Sequence, residues 1–259
     1  MFSCMYMHKT QHHHLSPLVV EKQVAYSKSH GGFESARAIV QCKLRNCRLL
    51  LSGFLQSRAR AGYANAELLR MYQTQIQIVE HTTEEAKDHP SLFRLEAQAS
   101  RAYWKAIALI CHQDLLWQRV YPHARGSLNI LLNTGYTGLA RRVMEKIEEV
   151  GLMPEFGLLH GASSGDALVY DIMECFRQST VDGAIIPLFS RKKTSLTEKG
   201  MKHGFWQLST RLDKYYPYEG KCEKLDRIVF LEVMRLKKCT IENIIWTPYT
   251  HRWGHSWRC

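Results

Sequence analysis

The chain has 259 residues, 45% of them hydrophobic and 23% charged, and this balance excludes disordered, collagen-like and low-complexity chains. No run of residues approaches the roughly 18 consecutive apolar positions of a membrane-spanning helix, and the first 15 residues lack the apolar stretch of a secretory signal. Lys and Arg number 35 against 24 Asp and Glu, which gives a net charge of +11 with His neutral.

The basic excess is concentrated at the two ends of the chain. Residues 1–65 carry a net charge of +7, residues 66–189 carry −4, and residues 190–259 carry +8. Basic ends around an acidic middle favour a polyanionic partner, with carboxylate chemistry at the centre. A solvated surface that is simply basic explains the charge equally well.

The eight cysteines are dispersed along the chain and form no Cys-x-x-Cys pair. Structural zinc sites usually draw on such pairs, so zinc has little support here. Free cysteines persist in reducing compartments, and we therefore expect a cytoplasmic protein.

The first 30 residues show no clean period, and we interpret 1–30 as a short N-terminal remnant or linker. Within it, Leu18–Val24 hints at a strand. The run His12–His14 is either a metal-binding tract or part of a solvated start, and the solvated start is favoured. His30–Gly32 is predicted to interrupt regular structure, and a helical period begins at Phe33.

From Phe33 onward, apolar residues recur at three- and four-residue steps, as in helices that bury one face. Further helices are predicted over Ala64–Lys87, Leu92–Cys111, Ser127–Val150, Ala167–Thr180, Leu196–Tyr215 and Lys221–Lys238. Ser91 is the expected cap of the helix that starts at Leu92. Ile241–Trp246 offers a second hint of a strand. We therefore predict a mainly α protein, with a multi-helix domain over 31–240 and a basic, aromatic tail over 241–259.

Two carboxylates stand out in the fifth predicted helix. Asp171 and Glu174 are three residues apart, so their side chains lie near one helix face, among apolar neighbours. Carboxylates in such surroundings are costly to desolvate unless a cation or donor compensates. His160 precedes the turn into this helix, and Glu96 lies in another helix rich in alanine.

These residue types suit a divalent-metal site. Carboxylate oxygens favour Mg²⁺ or Mn²⁺, and an imidazole shifts the preference towards Mn²⁺. Such a metal polarises a phosphodiester and activates a water or a 3′-hydroxyl. From the spacing alone, however, the favoured interpretation is that Asp171 and Glu174 pair with Arg177 or other basic groups, and that His160 is a loop histidine with satisfied hydrogen bonds.

Four ordered motifs resemble the CRISPR-associated integrase–endonuclease family, the larger subunit of the spacer-acquisition complex. They are Leu95–Trp104 for Leu-Glu-Gly-x-Ala-Ala-x-x-Tyr-Trp, Asn129–Tyr136 for Asn-x-x-Leu-Asn-Tyr-Gly-Tyr, Gly151–His160 for Gly-Leu-x-Pro-x-x-Gly-x-Leu-His, and Leu168–Arg177 for Leu-Val-x-Asp-Leu-Met-Glu-x-Phe-Arg. A later Val181-Asp182 also fits. The resemblance covers about Ser16 to Lys238, and four joined motifs are far more specific than one.

The resemblance implies a helical catalytic domain with a metal held by Glu96, His160 and Glu174. Asp171 is the companion acid, which either supports these ligands or binds a second metal. Ala97 and Ser100 replace a Gly and an Ala of the family motif, and Thr134 replaces a Tyr. Members also usually carry a small β-rich domain before the helical one, whereas only Met1–Leu15 precedes the match, so an N-terminally truncated or divergent chain is expected.

By the same resemblance, we expect a Mg²⁺- or Mn²⁺-dependent DNA endonuclease and integrase that inserts short foreign-DNA spacers into a CRISPR array in antiviral defence. Its expected partners are duplex or branched DNA, bound largely without sequence preference, a second copy of the chain and a smaller adaptation protein, with no membrane. Basic residues would hold the DNA phosphates. The candidates are Arg37, Lys43, Arg191, Lys192 and Lys193. For each of them, an ordinary solvated charge is an equally good interpretation.

Two alternatives stay open at this stage. The first is a catalytically weak DNA-binding or assembly subunit, motivated by the short N-terminal segment. The second is a hydrolase that acts on RNA, against which the lack of an aromatic RNA-binding motif argues mildly.

Overall fold

The computed structural model describes residues 16–62, 65–114, 116–161, 165–190 and 198–251, and most of these residues are helical. The helices within these ranges are α1 (Pro17–Ser27), α2 (His30–Arg60), α3 (Ala66–Thr82), α4 (His89–Ile110), α5 (Ser127–Val150), α6 (Ala167–Arg177), α7 (Gly183–Ser190), α8 (Glu198–Arg211) and α9 (Leu225–Glu242). A 3₁₀ turn (Thr83–Glu85) follows α3, and a π-helical turn (Gln178–Asp182) joins α6 to α7. The strands β1 (Tyr215–Tyr218) and β2 (Lys221–Lys224) form an antiparallel hairpin.

Local sequence explains where several helices begin and end. The Ser29 hydroxyl accepts a hydrogen bond from the Gly32 N–H and so caps α2. In α4, Asp88 and Ser91 form a reciprocal capping box, so Ser91 acts at the third helical position and Asp88 is the cap. Gly151 ends α5 with a φ of +76°, a left-handed conformation that glycine adopts without strain.

The long helix α2 lies at the centre of the packing and contacts α1, α3, α4 and α6. Helix α6 is buried on nearly all sides, because α2 and α5 both pack against it. Helices α8 and α9 complete the bundle against α5. Most side chains on α6 therefore point into protein, and its two carboxylates are not on a solvated face.

Two strand predictions are wrong, and one hairpin was missed. Leu18–Val24 lies in α1, which starts with Pro17 in its first turn and packs against α2 and α9. Ile241–Trp246 comprises the end of α9 and an irregular segment. The β1–β2 hairpin was predicted as helix ends, but the φ values of Glu219 (+47°) and Gly220 (+80°) are both positive, as a tight hairpin turn requires.

The segment after α9 is held against α2 by backbone hydrogen bonds. The Trp246 N–H donates to Ser35 Oγ over 2.8 Å, and the His251 N–H donates to Asn46 Oδ1 over 3.1 Å. The Trp246 side chain is fully buried. The rest of the predicted tail, 252–259, lies outside the described residues, as does the predicted His12–His14 tract. None of the helices in the described ranges combines the length and apolar character needed to cross a bilayer.

Candidate active site

Asp171 is fully buried in α6, and hydrogen bonds occupy both of its carboxylate oxygens. Oδ2 accepts the backbone N–H groups of Leu158 and, over 2.9 Å, of Leu159. Oδ1 accepts the backbone N–H of His160 over 3.0 Å and lies 2.6 Å from its Nδ1. Gly157 makes this approach fit, since a Cβ there would come within 2.7 Å of Oδ2. Asp171 therefore shapes the loop that carries His160.

The contact with Asp171 fixes the His160 ring. An ionised carboxylate only accepts hydrogen bonds, so Nδ1 carries the hydrogen and donates it to Asp171, and Nε2 keeps its lone pair when the ring is neutral. Burial opposes ionisation, but the hydrogen bond and negative charge of Asp171 outweigh burial and raise the pKa of His160 above its ordinary value. The ring lies edge-on to Phe93 and Tyr170. It retains partial exposure, with 29% of the side chain accessible. Nε2 is thus the ring nitrogen with a lone pair available to an acceptor role or a cation.

Glu174 is the second carboxylate of α6 and lies between two cations. Its Oε1 is 3.2 Å from Arg177 Nη2, and its Oε2 is 2.8 Å from Lys43 Nζ. The Lys43 contact lacks hydrogen-bond geometry, and Oε2 accepts no hydrogen bond from any described residue. Burial alone would raise the pKa of Glu174, but the charges of Arg177 and Lys43 hold it at about 2. Glu174 is therefore a buried anion at neutral pH.

Glu96 reaches the same place from α4. Its Oε1 pairs with Lys43 Nζ and also accepts a hydrogen bond from Ser100 Oγ over 2.7 Å. The Lys43 side chain is only 10% exposed. Burial would lower the pKa of Lys43, but the charges of Glu174 and Glu96 raise it above its ordinary value. One buried ammonium thus links carboxylates from two helices.

The donor set of this cluster fits a divalent cation. Two carboxylates converge on one cation, Glu174 Oε2 lacks a hydrogen-bond donor, and His160 offers a nitrogen whose ring is held by Asp171. No three His, Cys, Asp or Glu side chains among the described residues already stand at the spacing of a formed metal site. The Lys43 ammonium lies between Glu96 and Glu174 and pairs with both.

The interpretation from spacing alone is correct for Glu174, which does pair with Arg177 and with Lys43. It does not describe Asp171, whose contacts are backbone N–H groups and the His160 ring. For His160, the interpretation as a satisfied loop histidine agrees with the hydrogen bond between its Nδ1 and the buried Asp171 carboxylate.

A second buried network of hydrogen-bonded side chains lies beside the carboxylate cluster. The residues that form it were not predicted from the sequence as part of the site. Asp182 accepts hydrogen bonds from the hydroxyls of Tyr103 and Tyr136. Burial raises the pKa of Asp182 in spite of these donors. The guanidinium groups of Arg119 and Arg177 both lie over the Tyr136 ring, at 5.3 and 5.2 Å from its centroid. Tyr103 belongs to the first sequence motif and Tyr136 to the second. Their places in these motifs were the sequence feature that could have identified them as part of the site.

Asparagines of the second motif hold Arg119 in place. Asn129 Oδ1 accepts a hydrogen bond from Arg119 Nη1 over 3.1 Å, and Asn133 Oδ1 accepts one from Nη2. Asn129 also donates to the Gln118 carbonyl over 2.9 Å. The motif therefore ties the loop before α5 to the edge of the carboxylate cluster.

The predicted DNA-binding residues that the structure describes differ in how far they are exposed to solvent. Lys43 is buried within the carboxylate cluster and does not face solvent, which contradicts a surface phosphate contact in this conformation. Arg37 is half-buried, pairs with Glu34 and donates to the Ala86 carbonyl over 2.6 Å. Arg191, Lys192 and Lys193 lie outside the described residues.

Comparison with known proteins identifies similar chains. A family model described as CRISPR associated protein Cas1 matches residues 4–211. The CRISPR-associated endonuclease Cas1 1 of Archaeoglobus fulgidus is 26% identical over 237 residues, which span 82% of this chain and 68% of that protein. A casposase bound to its integration product superposes with a TM-score of 0.73 at 22% identity, covering 92% of this chain and 70% of the casposase. A Cas6-RT-Cas1–Cas2 complex also gives 0.73, at 18% identity, and covers 92% of this chain and 27% of that one.

Proposed function

Because the chain belongs to the CRISPR-associated Cas1 family, we propose that it is a divalent-metal-dependent DNA endonuclease and integrase that inserts short DNA segments into a CRISPR array. The curated relatives are named CRISPR-associated endonucleases, and this chain spans about two thirds of the length of the Archaeoglobus protein. The activity of a whole relative is therefore part of the proposal.

One observation carries the assignment of the site. Glu96 from α4 and Glu174 from α6 share a single buried cation, Lys43, beside a His160 ring whose Nδ1 is taken by Asp171. Burying two carboxylates from separate helices lowers the free energy of unfolding unless a cation offsets their charge. Packing alone does not favour such a cluster, and clusters of this kind are frequent at functional sites. Cation binding supplies a reason for the cluster.

The residues divide into ligands and a positioning group. We infer that Glu96, Glu174 and the Nε2 atom of His160 hold Mg²⁺ or Mn²⁺, with the imidazole favouring Mn²⁺. Asp171 is the positioning residue, because its oxygens already accept four donors and have no capacity left for a ligand role. When bound, the metal supplies Lewis-acid activation of a 3′-hydroxyl or water and stabilises charge on the phosphodiester.

DNA is the proposed substrate, and the net charge of +11 is consistent with a polyanion. The casposase neighbour is bound to an integration product, which supports DNA in the same fold. The Cas1–Cas2 neighbour supports a Cas2-type protein as the smaller partner. We also infer that the working form contains two copies of the chain, which sedimentation of the purified protein tests directly.

The proposed function is tested by strand transfer. A labelled branched DNA is incubated with the protein and Mn²⁺ or Mg²⁺, and cleaved and joined products are separated on a denaturing gel. We expect metal-dependent products from the wild type and from Glu145→Gln, whose side chain is 59% exposed on α5. Glu174→Gln keeps the shape but removes a ligand charge, and we expect it to lose activity at least 100-fold, about 2.7 kcal/mol of transition-state stabilisation.

The result that would overturn the proposal is equally specific. Metal-independent cleavage, or equal activity of Glu174→Gln and the wild type, would remove this cluster from the chemistry. DNA binding without any turnover by the wild type would favour the binding-subunit alternative.

A further inference from the structure

The presence of a lysine, Lys43, between two carboxylates is unexpected for a metal-binding cluster, because the ammonium occupies the place of a cation. Lys43 enters from α2, is only 10% exposed, and its ammonium lies between Glu96 Oε1 and Glu174 Oε2. The other basic residue at the cluster, Arg177, pairs with Glu174 Oε1 and lies over the Tyr136 ring, and among the described residues it forms no ion pair with Glu96. Lys43 is therefore the group that joins the two carboxylates of different helices.

The charges explain why the ammonium is present. Without a partner, Glu96 and Glu174 would be two like charges close to each other in a poorly solvated place, which is unfavourable. One ammonium, paired with both carboxylates, offsets both charges. Helices α2, α4 and α6 are linked at this point before any metal binds.

The same position conflicts with metal binding. A divalent cation and an ammonium, both in contact with the same carboxylates, would lie within a few ångströms of each other and repel strongly in a low-dielectric setting. The oxygens that face Lys43 are also the ones a metal between Glu96 and Glu174 would use. The two cations therefore compete for the site.

We propose that Lys43 is a tethered cation that holds Glu96 and Glu174 together until a divalent metal displaces its ammonium, so that competition with Lys43 sets the metal affinity of the site. This inference rests on the proposed function, because it takes the cluster to be the metal site. The exchange breaks two ion pairs and forms metal–oxygen bonds, and the released ammonium moves to solvent through the exposed edge of the cluster.

The first test is chemical footprinting of the wild-type chain. The protein is treated briefly with limiting acetic anhydride in EDTA, in MnCl₂ or in MgCl₂, and lysine acetylation is read by peptide mass spectrometry. We expect Lys43 to be protected in EDTA and to be acetylated several-fold faster with metal. Lys237 is the internal control, because its Nζ donates to the Val150 carbonyl over 2.7 Å on another face of the bundle and should not respond.

The second test measures Mn²⁺ affinity by titration calorimetry. We expect Lys43→Met to bind Mn²⁺ about tenfold more tightly than the wild type, because the competing cation is gone; tenfold corresponds to about 1.4 kcal/mol. Arg45→Met is the matched control, since Arg45 lies two residues away on α2 but points outward to Glu80 and is 56% exposed. Its affinity should equal that of the wild type.

The outcomes separate this inference from the proposed function. Mn²⁺ binding that depends on Glu174, with Lys43 still protected and Lys43→Met binding no tighter, would refute displacement and leave the metal site intact. A wild type that binds no Mn²⁺ would refute the metal site itself. If Lys43→Met does not fold in EDTA, the footprint of the wild type still decides, because it needs no variant.

Discussion

The hydrogen bonds around Asp171 predict that Asp171→Asn strongly destabilises the protein, although it replaces only one carboxylate oxygen with an amide nitrogen. The carboxylate accepts three backbone N–H groups and the His160 ring through its two oxygens, and it is fully buried. An asparagine amide keeps one acceptor oxygen and turns the other position into a donor. Whichever way the amide is oriented, two of the four donors then face an N–H group.

The magnitude follows from those lost contacts. A hydrogen bond to a charged group contributes about 1.5–3 kcal/mol, and a buried donor left without an acceptor costs more than the bond it loses. Two lost bonds therefore predict a decrease of about 3–6 kcal/mol in the free energy of unfolding. The pKa of His160 should also fall, because Asp171 is the group that raises it.

Two measurements check this prediction. Urea unfolding gives the free energy, and the NMR titration of the His160 ring protons gives its pKa. Asp226→Asn is the matched control, because Asp226 is 30% exposed and pairs with Lys146 over 3.3 Å, so its loss should cost below about 1 kcal/mol. A decrease below about 1 kcal/mol for Asp171→Asn, with an unchanged His160 pKa, would refute the role assigned to Asp171.

Three further predictions follow from the same contacts. Gly157→Ala should destabilise the protein by about 1–3 kcal/mol in urea, because its Cβ would meet Asp171 Oδ2 at 2.7 Å, whereas Gly53→Ala, with nothing within 4 Å, should stabilise it by about 0.5–1 kcal/mol; equal effects would contradict the close packing. The pKa of Glu174 is depressed from 4.5 to about 2, so stability present above pH 4.5 should be lost as the pH falls towards 2, and Glu174→Gln should flatten this part of the unfolding profile; an unchanged slope would show that Glu174 is not ion-paired. In EDTA, a double-mutant cycle of Lys43→Met and Glu96→Gln should give a coupling energy of about 0.5–3 kcal/mol by thermal or urea unfolding, and additive losses would mean that the two groups do not interact.

Much of the helical framework could be predicted from local sequence. Ser127–Val150 forms a helix with the predicted bounds, because glycines flank it and its apolar residues keep the helical period. The β1–β2 hairpin escaped prediction, since its turn depends on positive φ at Glu219, a residue without a turn signal of its own. Leu18–Val24 was misassigned because packing against α2 and α9, and not local propensity, makes it a helix.

The candidate site was also predicted only in part from the sequence. The family resemblance predicted Glu96, His160 and Glu174 as metal ligands and Asp171 as their companion acid, but it left open whether Asp171 supports the ligands or binds a second metal. That distinction depends on which donors surround each oxygen. Lys43 was grouped with surface cations because local sequence does not reveal its contact with Glu96, 53 residues away. Long-range packing of α2 against α4 and α6 decides its role.

The most direct test of the central claim is a crystal of the protein grown with MnCl₂ and measured for anomalous scattering from manganese. We expect a peak bounded by Glu96, Glu174 and the Nε2 atom of His160, with Asp171 still on Nδ1 and the Lys43 ammonium displaced from between the glutamates. A manganese peak elsewhere, or a saturated crystal in which Lys43 still bridges Glu96 and Glu174 and no peak lies beside them, would contradict it.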